Sequence, residues 1–392
     1  MTVRQLTWYE FFAGGGMARL GLGKRWKCTF ANEWCEKKAA AYRSYFGFCP
    51  ELNVSDVAKL RICDLPGTPD LVWASFPCQD LSLAGSGAGL TGRRSGTFRP
   101  FWKLIEGLTR DRRAPALIVL ENVVGTLTSH GGRDFAAIVC SFSKAGYRVG
   151  ALVIDALRFL PQSRPRLFIV GTRSDIMVPH CLESPAPSEP WHSNSLLKAY
   201  QRLPGSLKAC WVWWNLPVPR SHVPTLASLI EDPPNGVSWH SPEETQKLLG
   251  LMTALHRRKT EAAKSVESCQ IGTIYKRTRP NRDGVMAQRA EVRFDGISGC
   301  LRTPVGGSSR QTVAVVEHGS VRTRLLSPRE AARLMGVPDE YPLPVAYNDA
   351  YHVFGDGVAV PVVSWLDKHL LSPLAARARF GQTIQEDAAQ SA

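Results

Sequence analysis

The chain reads as an α/β protein built on a doubly wound, mostly parallel sheet, with a second, irregular domain after it. Through residues 1–174, short β-rich runs alternate with helical stretches, the signature of strand–helix–strand units. Most of those runs are continuously apolar and end in polar or glycine residues, as strands buried on both faces do. Beyond Arg173 the texture changes, because prolines from Pro179 to Pro234 interrupt every regular pattern.

Taken in order, the predicted strands are Leu6–Phe12, Lys27–Asn32, Asp70–Ser75, Ala116–Glu121, Val149–Ile154 and Leu167–Thr172. Glu33–Phe46, Arg99–Arg110 and Gly132–Ala145 are the helices between them. Pro242–Lys264 is a further helical piece, followed by a basic stretch from Tyr275 to Arg293. Regular patterning returns near Arg322, where Ser327-Pro328-Arg329-Glu330 is a capping signal that opens a helix through Met335. The blocks are therefore 1–174, 175–320 and 321–375, with a small, polar tail at 376–392 expected to fray.

A chain of 392 residues with 44% apolar and 21% charged residues has the balance of a soluble globular protein. No apolar run reaches membrane-spanning length and the N-terminus lacks the pattern of a signal peptide, so the cytoplasm is the expected compartment. The ten cysteines stand singly, with no Cys-x-x-Cys pair and no zinc spacing, and no metal is expected. Net charge is +14, and residues 1–174 carry 24 Lys+Arg against 13 Asp+Glu, which favours a polyanionic partner.

Several constellations fall at predicted strand ends, where ligands of such sheets bind. Tyr9-Glu10-Phe11-Phe12-Ala13-Gly14-Gly15-Gly16 is a glycine turn after the first strand. It lets backbone approach a ligand closely, although a plain β–α turn fits it equally. Asn32-Glu33-Trp34 closes the second strand with an acid suited to ribose hydroxyls and an indole suited to a purine. Together they indicate an adenosine-containing cofactor. Ser75-Phe76-Pro77-Cys78-Gln79-Asp80-Leu81-Ser82 then runs into a glycine-rich loop containing Arg93 and Arg94. Cations near a strand-end cysteine favour the thiolate, the attacking form. Leu120-Glu121-Asn122-Val123 places a carboxylate at another strand end, and Gln162-Ser163-Arg164-Pro165-Arg166 sets two guanidiniums before the next strand.

In this order the motifs resemble those of the DNA cytosine-5 methyltransferase family. Arg324-Leu325-Leu326-Ser327-Pro328-Arg329-Glu330 and Gly355-Asp356-Gly357-Val358-Ala359-Val360 resemble its late helix and closing motif. The resemblance covers about residues 5–173 and 322–370 and implies a Rossmann-like class I S-adenosylmethionine-dependent methyltransferase fold. Residues 175–320 sit where the family carries its target-recognition domain, and 321–375 would complete the catalytic domain.

By the same resemblance Phe12, Gly14 and Gly16 line the S-adenosylmethionine pocket, Glu33 holds the ribose and Trp34 the adenine. Asp56 resembles the adenine-contacting acid, and Asp356 and Val358 belong to the closing cofactor motif, where the family usually has Asn at 356. Cys78 is the nucleophile, Glu121 meets the exocyclic amine and N3 of the base, Arg166 its carbonyl, and Arg164 supports the site or a phosphate. Gln79, Ser82, Arg93 and Arg94 would meet DNA at the site, and Lys276, Arg277, Arg279 and Arg282 would meet its phosphates. The implied substrate is double-stranded DNA, with a cognate restriction endonuclease as a functional partner and a monomer as the default state. An RNA cytosine methyltransferase on the same scaffold and a DNA-binding protein with a decayed site stay open. A nicotinamide enzyme explains the glycines but not the later motifs.

Overall fold

The computed structural model describes residues 5–77, 97–219, 223–280, 283–303 and 310–379. Its apolar runs form β1 (Leu6–Phe11), β2 (Trp26–Glu33), β3 (Leu52–Val54), β4 (Leu71–Ala74), β5 (Leu117–Val123), β6 (Tyr147–Asp155) and β7 (Pro165–Arg173). They make one sheet in the order β3-β2-β1-β4-β5-β7-β6. β1 pairs in parallel with β2 and β4, β2 with β3, and β4 with β5. The direction of winding reverses between β1 and β4, and connections that diverge there leave a crevice beyond the carboxyl ends. β7 is antiparallel to β5 and places Arg166 opposite Val123, so the start of β7 lies at the same end as the close of β5.

Side-chain alternation explains which face is covered. Tyr9, Phe11, Val72, Ala74, Ile118 and Leu120 are buried against the helices Phe98–Arg110 and Arg133–Lys144, through Phe101, Ile105, Phe135 and Val139 among others. Removing each of the Phe, Val, Ile and Leu side chains from water contributes roughly 1.5–3 kcal/mol. The short helix α1 (residues 17–22) packs against the helix Val360–Leu366, whose Val363 Cβ would lie 2.4 Å from a Cβ at Gly21. This contact brings the late segment back to the first sheet.

The chain forms two compact units. Met1–Ile154, Pro165–Pro219 and Val360–Ala392 make one, and Asp155–Arg164 with Arg220–Ala359 make the other. These lines differ from the sequence blocks: residues 175–219 stay with the first sheet, where Val149 N donates to Cys210 O at 2.8 Å and Val212 N to Val149 O at 2.9 Å, whereas 155–164 and 321–359, expected with the catalytic domain, fall in the other unit. The second unit is more regular than its sequence suggests. Four antiparallel strands, Gln270–Pro280, Met286–Arg293, Thr312–Glu317 and Ser320–Leu325, form a sheet backed by the helices Pro242–Gly250 and Ala254–Lys264. The tail also begins later than expected. Helix continues through residues 372–379, and Arg379 reaches Asp70 at 2.6 Å, so 376–379 do not fray. Among the described residues no helix is long and apolar enough to cross a membrane.

Candidate active site

The glycine turn after β1 holds Phe12, Gly14 and Gly16 at φ 59°, 57° and 80°. Phe12 is strained there, since only glycine adopts such a backbone freely. The two glycines do different work. A Cβ on Gly14 would meet nothing within 4 Å, so open space lies over its backbone. A Cβ on Gly16 would lie 2.4 Å from Phe46 and 2.9 Å from Tyr42, so Gly16 is demanded by packing against the helix Glu36–Phe46. The pocket-lining role expected for both is better matched by Gly14.

Glu33, at the end of β2, is 3% exposed and would be costly to bury without partners. Its Oε1 accepts from Trp34 N at 3.0 Å and Cys35 N at 2.8 Å, and its Oε2 accepts from Gly14 N at 2.8 Å. The carboxylate is thereby fixed beside the turn, and Oε2 keeps a lone pair. The Trp34 indole is 69% exposed, an unusual cost for so large an apolar group. Asn32 ties β2 to the end of β3 through Ser55 O at 2.9 Å, and the exposed Asp56 caps the next turn by accepting from Ala58 N at 2.9 Å. Open space over Gly14, a fixed acid and an exposed indole fit an adenosine-bearing cofactor.

Beneath the turn lies a polar network that sequence reasoning missed. Arg19 donates to Tyr42 Oη at 2.8 Å and to Glu51 Oε1 at 2.6 Å, while Tyr42 Oη donates to Glu10 Oε2 at 3.3 Å. Burial pushes the Glu10 carboxyl up to about 8, with Arg19 opposing. An acid raised in the folded state binds a proton that the unfolded chain has already released. Stability from this group is thus complete below the unfolded value of about 4.3 and is lost as pH rises toward about 8, at about 1.4 kcal/mol per pH unit inside that window. Glu10→Gln, which mimics the neutral acid, should flatten the fall in unfolding free energy between pH 5 and 8. Denaturant titrations of both proteins across that range check this, and parallel pH profiles contradict it.

At the other side of the sheet's reversal, Asn122 organises the ends of β4 and β5. Its Nδ2 donates to Phe76 O at 3.1 Å, and its Oδ1 accepts from Val123 N at 2.8 Å and Thr126 Oγ1 at 3.2 Å. The segment leading out of β4 through Phe76 and Pro77 is thereby fastened to the residue after Glu121. Glu121 is 6% exposed, and its Oε1 lies 3.3 Å from Arg166 Nε. The antiparallel register of β5 and β7 makes the two neighbours, since Arg166 pairs with Val123, two residues along from Glu121. Cys78, Gln79, Ser82, Arg93 and Arg94 lie outside the described residues.

Within the second unit, Arg164 is not placed to meet a base or a phosphate. It is 2% exposed, and its guanidinium donates to Leu301 O at 2.8 Å, Gly355 O at 2.9 Å and Gly357 O at 2.6 Å. It is a positioning residue that fastens the Gly355-Asp356-Gly357 bend to the segment at 301. The sequence supplied its charge but not these carbonyls. Thr303 Oγ1 donates to Asp356, a bond that an Asn Oδ1 would also accept. Val358 is buried. Lys276 and Arg277 stand on the strand Gln270–Pro280, opposite Ala290 and Arg289. Arg279 pairs with Ala287 through its backbone, its side chain and all of Arg282 being outside the description.

The family model for C-5 cytosine-specific DNA methylase matches residues 6–372. The chain belongs to the C-5 cytosine-specific DNA methylase family. It is an enzyme, a DNA (cytosine-5-)-methyltransferase. Type II methyltransferase M.BsuFI of Bacillus subtilis is 27% identical over 92% of this chain and 71% of its own length. Type II methyltransferase M.HhaI of Haemophilus parahaemolyticus is 26% identical over 95% of this chain and 97% of its own. Among solved structures, the Entamoeba histolytica methyltransferase EhMeth superposes with a TM-score of 0.60 at 14% identity, covering 95% of this chain and 99% of that one. Dnmt2 methyltransferase of S. pombe superposes with a TM-score of 0.58 at 15% identity, covering 94% and 99%. Both share the methyltransferase fold with this chain.

Proposed function

We propose that this enzyme transfers a methyl group from S-adenosylmethionine to carbon 5 of a cytosine flipped out of duplex DNA, through a transient bond between Cys78 and carbon 6. The observation that carries the reading is the Glu121–Arg166 pair, 3.3 Å apart, beside the strand that Asn122 fastens just before Cys78.

Carbon 5 of cytosine is too weak a nucleophile to accept a methyl group unaided. Addition of the Cys78 thiolate to carbon 6, with a proton delivered to N3 by Glu121, turns the ring into an enamine whose carbon 5 is electron-rich. Glu121 also accepts from the exocyclic amine, and Arg166 donates to the base carbonyl, so charge gathering on the ring meets fixed partners. The bound cofactor supplies an electrophilic methyl group, with the Gly14 backbone, Glu33 and Trp34 holding its adenosine half. Once carbon 5 carries the methyl, its proton leaves to a base, N3 returns its proton to Glu121, and the electron pair of the carbon 6–sulfur bond departs with Cys78. None of these approaches is possible inside a stacked duplex, which is why the base must be extruded.

Residues 220–320, in the second unit, take the role of target recognition in this reading, with Lys276, Arg277, Arg279 and Arg282 on phosphates and Gln79, Ser82, Arg93 and Arg94 at the flipped base and its strand. The Type II names of the relatives support a cognate restriction endonuclease as a functional partner; a monomeric enzyme working in the cytoplasm at the nucleoid belongs to the same proposal. Incubation with methyl-labelled S-adenosylmethionine and either duplex DNA or tRNA tests the substrate. Label recovered as 5-methylcytosine in DNA is the expected result; label confined to tRNA, or to neither, overturns it.

A further inference from the structure

In the second unit, Gln270–Pro280 and Met286–Arg293 form an antiparallel ribbon whose register sets Arg277 directly opposite Arg289. Directly opposed residues share one face and bring their side chains together. The ribbon's other face is occupied, because Ile274, Ala290 and Val292 pack with Leu248 of the helix Pro242–Gly250 and with Met252 just beyond it. Tyr275 and Glu291 are the next pair along the arginine face.

Two like charges in direct opposition destabilise a sheet. Glu291 offsets part of this, its Oε2 lying 3.2 Å from Arg277 Nε, and the Arg277 guanidinium sits 5.2 Å from the Tyr275 ring centroid. These contacts hold Arg277 in place without burying it, since its side chain stays 40% exposed. Arg289 contributes a second guanidinium, which donates to Pro280 O at 3.3 Å and keeps further donors. One carboxylate thus faces two cations. A single anion between them would remove the repulsion and use the fork geometry of both guanidiniums.

We infer that Arg277 and Arg289 form a cross-strand clamp on one phosphate of the DNA backbone, an inference that rests on the chain being a DNA methyltransferase. Arg289 is then a DNA-binding residue that the sequence reading did not single out. Because the two share one phosphate, their effects on salt dependence are not additive. Binding to a mixed-sequence duplex, measured from 0.05 to 0.3 M salt, should give a plot of log affinity against log salt. Its slope should become shallower by about 1 in the double variant Arg277→Gln/Arg289→Gln. Each single variant should show little of that change, because the remaining guanidinium still neutralises the shared phosphate, and Arg277→Gln/Arg289→Lys should restore part of the slope lost in the double variant. Melting temperature of Arg289→Gln should equal or exceed that of the wild type, because a repulsion has been removed. A slope change near 2 in the double variant, an unchanged slope, or a lower melting temperature for Arg289→Gln overturns the clamp. The wild type's transfer of labelled methyl to the same duplex is the parallel arm. Its failure rejects the DNA reading, whereas its success with an unchanged slope rejects the clamp alone.

Discussion

Cys78→Ala abolishes methyl transfer to DNA, by roughly 10⁴-fold or more, the scale on which enzymes lose rate when a covalent nucleophile is deleted. In the proposed mechanism carbon 5 becomes electron-rich only through the sulfur bond to carbon 6. Cofactor binding stays within about twofold, since Gly14, Glu33 and Trp34 stand at the ends of β1 and β2, where the amides of Gly14, Trp34 and Cys35 hold the Glu33 carboxylate. Cys78→Ser behaves similarly, because a hydroxyl is far less ionised than a thiol at neutral pH. Labelled-methyl incorporation together with calorimetric cofactor titration checks both halves. Near-normal turnover by the alanine variant removes the covalent route.

Glu121→Gln lowers kcat by about 10² to 10⁴-fold, the contribution of a positioned general acid. The amide keeps the size and can still accept from the exocyclic amine, but it has no proton to give N3. KM for DNA and for the cofactor change little, because the lost interaction develops in the transition state. Glu121 and Arg166 expose only 7% and 16% of their side chains, so removing the carboxylate also leaves a guanidinium short of its charge partner. Melting temperature measured alongside separates that cost from the kinetic effect. Arg166→Lys keeps the charge but loses the forked geometry, and should fall between wild type and Glu121→Gln. A Glu121→Gln enzyme with wild-type kcat contradicts the proton-delivery role.

The first sheet was legible because buried parallel strands are written as apolar runs, and Leu71–Ala74 and Leu117–Val123 are nearly pure examples. Leu52–Val54 was not, since three residues carry no periodicity. The arginine-bearing ribbon was legible in principle. Arg289-Ala290-Glu291-Val292-Arg293 alternates charged and apolar residues at the period of a strand, but its basic composition drew attention to partners instead. The helix at 372–379 was masked by its small residues, although alanine is the strongest helix former. At the site, residue types announced Glu33, Glu121 and Arg166 because acids and guanidiniums at strand ends need partners. Of the two roles expected for Arg164, support of the site or of a phosphate, its partners fit the first, and they are backbone carbonyls that no side-chain pattern encodes. Asn122 and the Arg19–Tyr42–Glu10 network were silent for a related reason, as their roles depend on which strands become neighbours.

The transient sulfur–carbon bond can be caught directly. With 5-fluorocytosine at the target position, carbon 5 accepts the methyl group but holds fluorine where a proton would leave, so the sulfur cannot be expelled. Incubating the enzyme and cofactor with duplex DNA carrying this base should yield a denaturant-stable protein–DNA adduct, absent from Cys78→Ala. Failure of the wild type to form it, with DNA and cofactor binding demonstrated in the same mixture, contradicts a covalent mechanism at Cys78.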